Sequence, residues 1–187
     1  MRKLVHWVHQ SVDGFIEGPN GEFDWPVMGP ELSAYSIELT GRADAFLYGR
    51  RVWDLMSHYW PRAEQLSQDP HNLAFAPVWR RTPKIVISRT LERAEYDARV
   101  IGRDLAAEIT ELKGRPGGDL LLTGGSGAAA ALTRLGLVDE YQVVVHPVVL
   151  GGGTPVFPDR ERLDLRLVGT RTFDGRSVLL RCRRAAG

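Results

Sequence analysis

Leu121-Leu122-Thr123-Gly124-Gly125-Ser126-Gly127-Ala128 is an apolar run that stops at paired glycines and resumes with small residues. Leu120 to Thr123 has the length of a buried strand, and Ala128, Ala131, Leu132 and Leu135 then recur at helical spacing as far as Gly136. Strand, glycine turn and helix together leave backbone N–H groups and the positive end of the helix open to a phosphate. Gly125, Gly127 and Ala130 match the G-x-G-x-x-A dinucleotide pattern. That pattern should open a run of parallel βα units, however, and here only β-structure follows, which disfavours an ordinary Rossmann domain. No Gly-Lys-Ser/Thr ending marks a P-loop. On this stretch alone, a phosphate cradle and simple tight packing of strand against helix both remain open.

Working outward, the pattern repeats. Ala43 to Tyr48 reads as a strand, Gly49 ends it, and Val52, Leu55, Met56 and Tyr59 predict a helix from about Arg50. Arg50 and Arg51 sit where a guanidinium can grip phosphate in bidentate fashion, or simply stand solvated. Lys84 to Ser88 is a third strand, ending at Arg89-Thr90. Towards the N-terminus, Leu4 to Gln10 is a buried strand closed by a turn at Asp13-Gly14, and residues 17–30 form a Gly- and Pro-rich loop anchored by Phe23 and Trp25. Leu32, Tyr35 and Leu39 predict a helix that ends at Gly41. Residues 60–83 are ambiguous, with a helix around Leu73 to Arg80. Ala98 to Ile101 reads as a strand, and Leu105, Ile109 and Leu112 as a helix stopped by Gly114. Tyr141 to Leu150 reads as a long strand, apolar on both faces and therefore central. After Gly151-Gly152-Gly153 two alternating strands follow, around Leu163–Val168 and Val178–Arg183, joined by the hairpin signal Asp174-Gly175. The fold class is α/β: a mixed, mostly parallel sheet flanked by helices, with a C-terminal antiparallel hairpin, in one domain over residues 1–187.

Charge narrows the partners. The chain has 24 Lys+Arg against 23 Asp+Glu, a formal net charge of +1, and 25% charged residues. Nucleic-acid and membrane-surface binding usually select a strong basic excess, so a small molecule is the expected partner. Cys182 is the one cysteine, which excludes an internal disulfide and a thiolate metal cluster. His6, His9 and Gln10 interrupt the N-terminal apolar stretch, and no run approaches the roughly 20 apolar residues of a membrane span. A cytoplasmic protein is expected. His6 and His9 fall on opposite faces of their strand and His58, His71 and His146 lie far apart in sequence, so no metal site is expected. Arg181 and Arg183 read as the solvated face of the last strand.

Five segments in register carry a resemblance to the dihydrofolate reductase-like superfamily, in particular to the branch of the riboflavin-biosynthesis reductase domain and related small reductases. They are Ser11-Val12-Asp13-Gly14-Phe15-Ile16, Gly49-Arg50-Arg51-Val52-Trp53, Ile85-Val86-Ile87-Ser88-Arg89-Thr90, Thr123-Gly124-Gly125-Ser126-Gly127, and Val145-His146-Pro147-Val148-Val149-Leu150 with the glycines to Phe157. The resemblance implies NADPH as hydride donor. It implies Arg50 and Arg51, with Ser88 and Arg89, near the adenosine 2′-phosphate, Gly124, Gly125, Ser126, Gly127 and Ala128 under the pyrophosphate, Ile16 beside the nicotinamide, and Gly49, Val52 and Thr123 among the other cofactor contacts. Ser11, Phe23, Trp25, Val148 and Gly151 would border the substrate, a small heterocycle (pteridine- or pyrimidine-like) or other small conjugated acceptor. A homodimer is one assembly open to such a protein.

Two departures matter. The carboxylate that dihydrofolate reductases carry on the first helix has its nearest counterpart in Glu31, one residue out of register from Trp25, and the His-x-Glu and Pro-Cys-x-x-Cys pattern of the companion deaminase is absent. Asp13, Glu31 and Asp24 are the candidate proton donors, each with an ordinary alternative: turn residue, first-turn helix acid and loop solvator. An NADPH-dependent reductase is the expected function; a non-catalytic nucleotide-binding or sensor protein of the same fold is the alternative.

Overall fold

The structure is a computed structural model that describes residues 1–159 and 161–185. In chain order it contains β1 (Leu4–Ser11), β2 (Phe15–Glu17), α1 (Pro30–Gly41), β3 (Ala43–Gly49), α2 (Arg50–Tyr59), α3 (Ala63–Leu66), α4 (Pro70–Arg81), β4 (Lys84–Ile87) and β5 (Arg99–Ile101). There follow α5 (Leu105–Gly114), β6 (Asp119–Thr123), α6 (Ser126–Arg134), β7 (Glu140–His146), β8 (Thr154–Pro155), β9 (Leu165–Phe173) and β10 (Ser177–Arg184). Eight strands form one sheet in the order β5-β4-β3-β6-β1-β7-β10-β9, and β2 pairs with β8 in a small antiparallel sheet. The strands from β5 to β7 run parallel, while β10 is antiparallel to both β7 and β9.

The apolar runs are central because both faces of the sheet are covered. On one face Leu4, Val8, Leu120, Leu122 and Val143 pack with Ile109 and Leu112 of α5 and Ala129 and Leu132 of α6. On the other, Val5, Trp7, Leu121 and Val144 pack with Leu32 of α1, Trp53 of α2 and Phe75 and Trp79 of α4. All six parallel strands therefore end along one edge, and the loops leaving that edge build the site.

The sequence expectations need four corrections. The strand predicted to Leu150 ends at His146, because Pro147 has no N–H to continue the ladder. The α6 face is rotated: Ala129, Ala130 and Leu132 are buried while Leu135 is 47% exposed. The ambiguous region resolves into α4, started by Asp69, whose carboxylate accepts from the N–H groups of His71 and Asn72. Arg181 and Arg183 do face solvent in part, with side chains 40% and 42% exposed, but they are also ion-paired. Both hold the carboxylate of Glu140, at 2.9–3.2 Å, and that side chain is only 3% exposed. A carboxylate buried in β7 requires neutralisation, and the adjoining antiparallel strand supplies it.

Candidate active site

Two glycine turns meet at the carboxyl edge. Gly124 and Gly125 adopt φ of +59° and +66°, and the Gly124 N–H is seated on the Trp7 carbonyl at 2.9 Å. Neither α6, whose N-cap is Gly125, nor α2, whose N-cap is Gly49, has a side-chain cap, so first-turn N–H groups of both helices are left without one. The two turns touch: a Cβ added at Gly49 would stand 3.2 Å from the Ala128 Cβ, and one at Gly125 would stand 2.9 Å from the Val52 Cγ2. Two positive helix ends at contact distance form a site for an extended anion.

The arginines at this edge already have partners. Arg50 holds Asp54 at 2.9 Å, and Arg51 holds Glu17 at 2.9 Å. Glu17 also accepts from the Thr154 hydroxyl. With Gly153 pressed against β2, where a Cβ would fall 2.0 Å from the Glu17 carbonyl oxygen, these residues line a cleft of about 540 Å³ with residues 18–21. Arg89 is exposed, and the Ser88 hydroxyl accepts from the Leu91 N–H at 3.1 Å, closing the turn after β4.

Asp13 and Glu31 are committed to structure. The Asp13 carboxylate accepts from the N–H groups of Leu150 (3.1 Å) and Gly151 (2.8 Å), and the Val12 N–H reaches the Val148 carbonyl at 2.8 Å. Its bond with the Ser11 hydroxyl, with the two N–H groups adding to it, holds Asp13 below the usual carboxylate range. Ser11 is itself buried and accepts from the Phe15 N–H at 2.9 Å. Ser11, Asp13, Val148 and Gly151 thus come together, as a clamp between the β1–β2 turn and the loop after β7. Glu31 is exposed and accepts from the backbone N–H of Asp174, while Asp174 accepts from those of Glu31 (2.9 Å) and Leu32 (3.2 Å). The turn of the β9–β10 hairpin therefore caps α1, a task that accounts for Glu31 without proton transfer. Asp24 is exposed in the loop between β2 and α1. Ile16 packs against the α5–α6 face of the core.

Phe23 and Trp25 meet edge to face at 5.8 Å. Trp25 continues edge-on to His146 at 5.5 Å, and its indole N–H is buried with no partner. Beneath it lies a feature that sequence reasoning missed. His9 Nδ1 and His146 Nε2 are 2.8 Å apart, joining the ends of β1 and β7. Burial pushes His146 down to about 4, with Arg176 adding to it; burial pushes His9 down to about 3, assisted by His146 and His71. The available signal was a histidine near the C-terminal end of each of two strands expected to be central. Their adjacency follows from strand order, where Ser11 pairs with His146 and His9 with Val144. Among the described residues no group of three or more His, Cys, Asp and Glu side chains could hold a metal ion, and no helix is long and apolar enough to cross a membrane.

A mostly parallel sheet with paired glycine turns at its carboxyl edge defines an α/β class whose loops at that edge build the ligand site. Within that class the family is explicit: the model of the RibD C-terminal domain matches residues 2–179, and the chain belongs to that family. An uncharacterized protein of Bacillus subtilis (strain 168), YyaP, is 36% identical over 176 residues, spanning 92% of this chain and 89% of its own. Solved structures share the fold at low identity. The diaminohydroxyphosphoribosylaminopyrimidine deaminase/5-amino-6-(5-phosphoribosylamino)uracil reductase of Thermotoga maritima superposes with a TM-score of 0.67 at 16% identity, covering 98% of this chain and 57% of that one. Dihydrofolate reductase from Enterococcus faecalis, complexed with NADP(H), gives 0.63 at 13% identity, covering 98% and 97%. The dihydrofolate reductase-like fold anticipated from the five segments is thus the observed one.

Proposed function

We propose that this protein is an NADPH-dependent reductase of a small conjugated acceptor, with pteridine- or pyrimidine-like heterocycles as the first class to try. The observation that carries the reading is the pair of uncapped helix N-termini meeting at Gly49 and Gly125. Gly49 to Val52 and Thr123 to Ala128 would hold the pyrophosphate, and Ile16 would lie on the nicotinamide side. Arg50, Arg51, Ser88 and Arg89 would receive the 2′-phosphate. When bound, NADPH supplies the hydride. The chain's own residues orient the acceptor and exclude water: Trp25 and Phe23 from the loop, and the clamp of Ser11, Asp13, Val148 and Gly151 from below.

Arg50 and Arg51 must exchange a carboxylate for the phosphate. The exposed carboxylate pairs are worth only about 0–1 kcal/mol, and a phosphate brings about two negative charges and three acceptor oxygens in place of each single carboxylate charge, so the exchange is favourable. Calorimetric titration with NADPH and NADH tests this: NADPH should bind at least tenfold more tightly, and equal affinities would sink the assignment. The structural commitments of Asp13 and Glu31 favour one rival, a nucleotide-binding sensor without a proton donor. Tight NADPH binding without turnover across an acceptor panel would select it.

A further inference from the structure

We infer that His9 and His146, rather than a carboxylate, form the proton-delivering pair of this site and act as a neutral relay. The inference rests on the reductase reading above and supplies the group that reading lacks. The rings share one hydrogen bond at 2.8 Å, so whichever tautomers they adopt, the bridge uses one N–H and one lone pair. The bridge is the one hydrogen bond that either ring makes among the described residues, so the outer nitrogens, His9 Nε2 and His146 Nδ1, are left to another group. With both rings neutral, one outer nitrogen carries a proton and the other a lone pair. Such a pair can hand on a proton without ever holding net charge.

The surroundings enforce neutrality. His146 is 2% exposed and His9 is half-buried beside Trp7, at 5.0 Å between ring centroids. The titratable and charged groups that bear on the pair are His71 from α4, hydrogen-bonded to Ser33 of α1, and Arg176 from the β9–β10 turn. Both disfavour an added positive charge. Over His146, the unpartnered Trp25 N–H is a further neutral donor. A cluster of neutral N–H groups and one lone pair suits an uncharged planar heterocycle, and offers no counter-charge to an anionic or cationic one.

The step balances as acceptor plus reduced nicotinamide plus one solvent proton, giving reduced acceptor and oxidised nicotinamide. As the acceptor is reduced, the atom that gains the electron pair takes the outer N–H proton. The bridging proton crosses to the ring that has lost it, and the far lone pair takes a proton from water. Both rings end neutral with their tautomers exchanged, and the reverse shift, with solvent returning a proton to the donor nitrogen and taking one from the far nitrogen, restores them with no net proton change before the next turnover. A neutral imidazole acting on developing negative charge is an established mode of catalysis.

The test uses the full chain labelled with ¹⁵N-histidine and loaded with NADP⁺. Long-range ¹H–¹⁵N spectra are recorded from pH 5 to 8, with and without 7,8-dihydropterin as probe, beside stopped-flow NADPH oxidation by the same probe. Both rings should show one N–H each throughout, and the probe should shift their resonances. His9→Gln and His146→Gln should each slow oxidation by about 100-fold or more, in keeping with lost general-acid function, with NADPH affinity within twofold of the parent. The parent rate should be level from pH 5 to 8, whereas a carboxylic acid or imidazolium donor would lose rate as pH rises through its pKa. Trp25→Phe keeps the lid aromatic without its N–H and should lower probe affinity while the ring spectra of the pair stay in place. A ring that becomes charged near pH 6.5, resonances unmoved by the probe, or glutamine variants as fast as the parent would each overturn the relay. Failure of the reductase reading shows separately, as absent NADPH binding in the calorimeter.

Discussion

Acid should destabilise this fold well before its carboxylates titrate. His6, His9 and His146 are held neutral in the fold, at about 4, 3 and 4, against 6.5 for the free side chain, with burial the first cause in each case. For His6 the burial is complete, neither ring nitrogen has a partner at hydrogen-bond distance among the described residues, and the Gly124 backbone only partly offsets the loss of water. A depressed histidine pKa means that the unfolded chain binds the proton first. The stability it confers is therefore present above 6.5 and is lost as pH falls from there towards the folded value. From pH 7 to 5 each ring gives up about 2 kcal/mol by this linkage, roughly 6 for the three together, a large part of the about 5–15 kcal/mol that holds an ordinary domain. Asp13 and Glu140, held below the ordinary carboxylate range, release their share only at lower pH and do not blur the window. Urea unfolding followed by tryptophan fluorescence at pH 7, 6 and 5 reads the loss directly. His6→Leu, which leaves the His9–His146 pair in place, should remove about a third of it. A midpoint that moves by less than the equivalent of about 1 kcal/mol, or a His6→Leu protein with the parent's pH slope, would refute the assignment of buried neutral rings.

Two further changes probe the frame of the site. Asp174→Ala removes the cap that the hairpin turn places on α1 and should cost about 1 kcal/mol in urea unfolding; Asp174→Asn, which keeps an acceptor and tolerates the φ of +54°, should cost less. Gly125→Val should lose stability as well as NADPH binding, because its φ is +66° and its Cβ would meet Val52 at 2.9 Å, so circular dichroism melts should fall alongside calorimetric affinity. Gly49→Ala, with φ of −69° and a milder 3.2 Å approach to Ala128, should keep the fold and weaken binding; unchanged NADPH affinity there would remove the turn from the cradle.

Local signals carried most of the architecture. Gly49, Gly125 and Gly136 punctuate the chain where strands and helices end, and Asp174-Gly175 forms the expected hairpin turn at φ of +54° and +62°. These features depend on residues adjacent in sequence. The site depended on pairs that are not. His9 and His146 are 137 positions apart and meet only through strand order, and no periodicity within either strand announces it. Glu31 looked available because its partner, Asp174, lies 143 positions away. Arg181 and Arg183 looked merely solvated because alternation assigns a face but not what is paired on it, here the carboxylate of Glu140. Asp13 was readable as a turn residue; its grip on the loop after β7 was not.

The central position of β1 has a consequence for how the protein is made. Its neighbours, β6 and β7, are translated more than a hundred positions later, as the 116-residue separation between Lys3 and the Asp119 carboxylate marks. At about 5–20 residues per second the first strand waits on the order of ten seconds outside the ribosome with both hydrogen-bonding edges bare. Its sequence, Leu4-Val5-His6-Trp7-Val8-His9-Gln10-Ser11, is then an apolar β-former that any similar segment can pair with. His6 and His9 carry charge in the open chain more readily than in the fold, so the residues that make the finished protein acid-sensitive also help keep the nascent strand apart from its copies until its partners arrive.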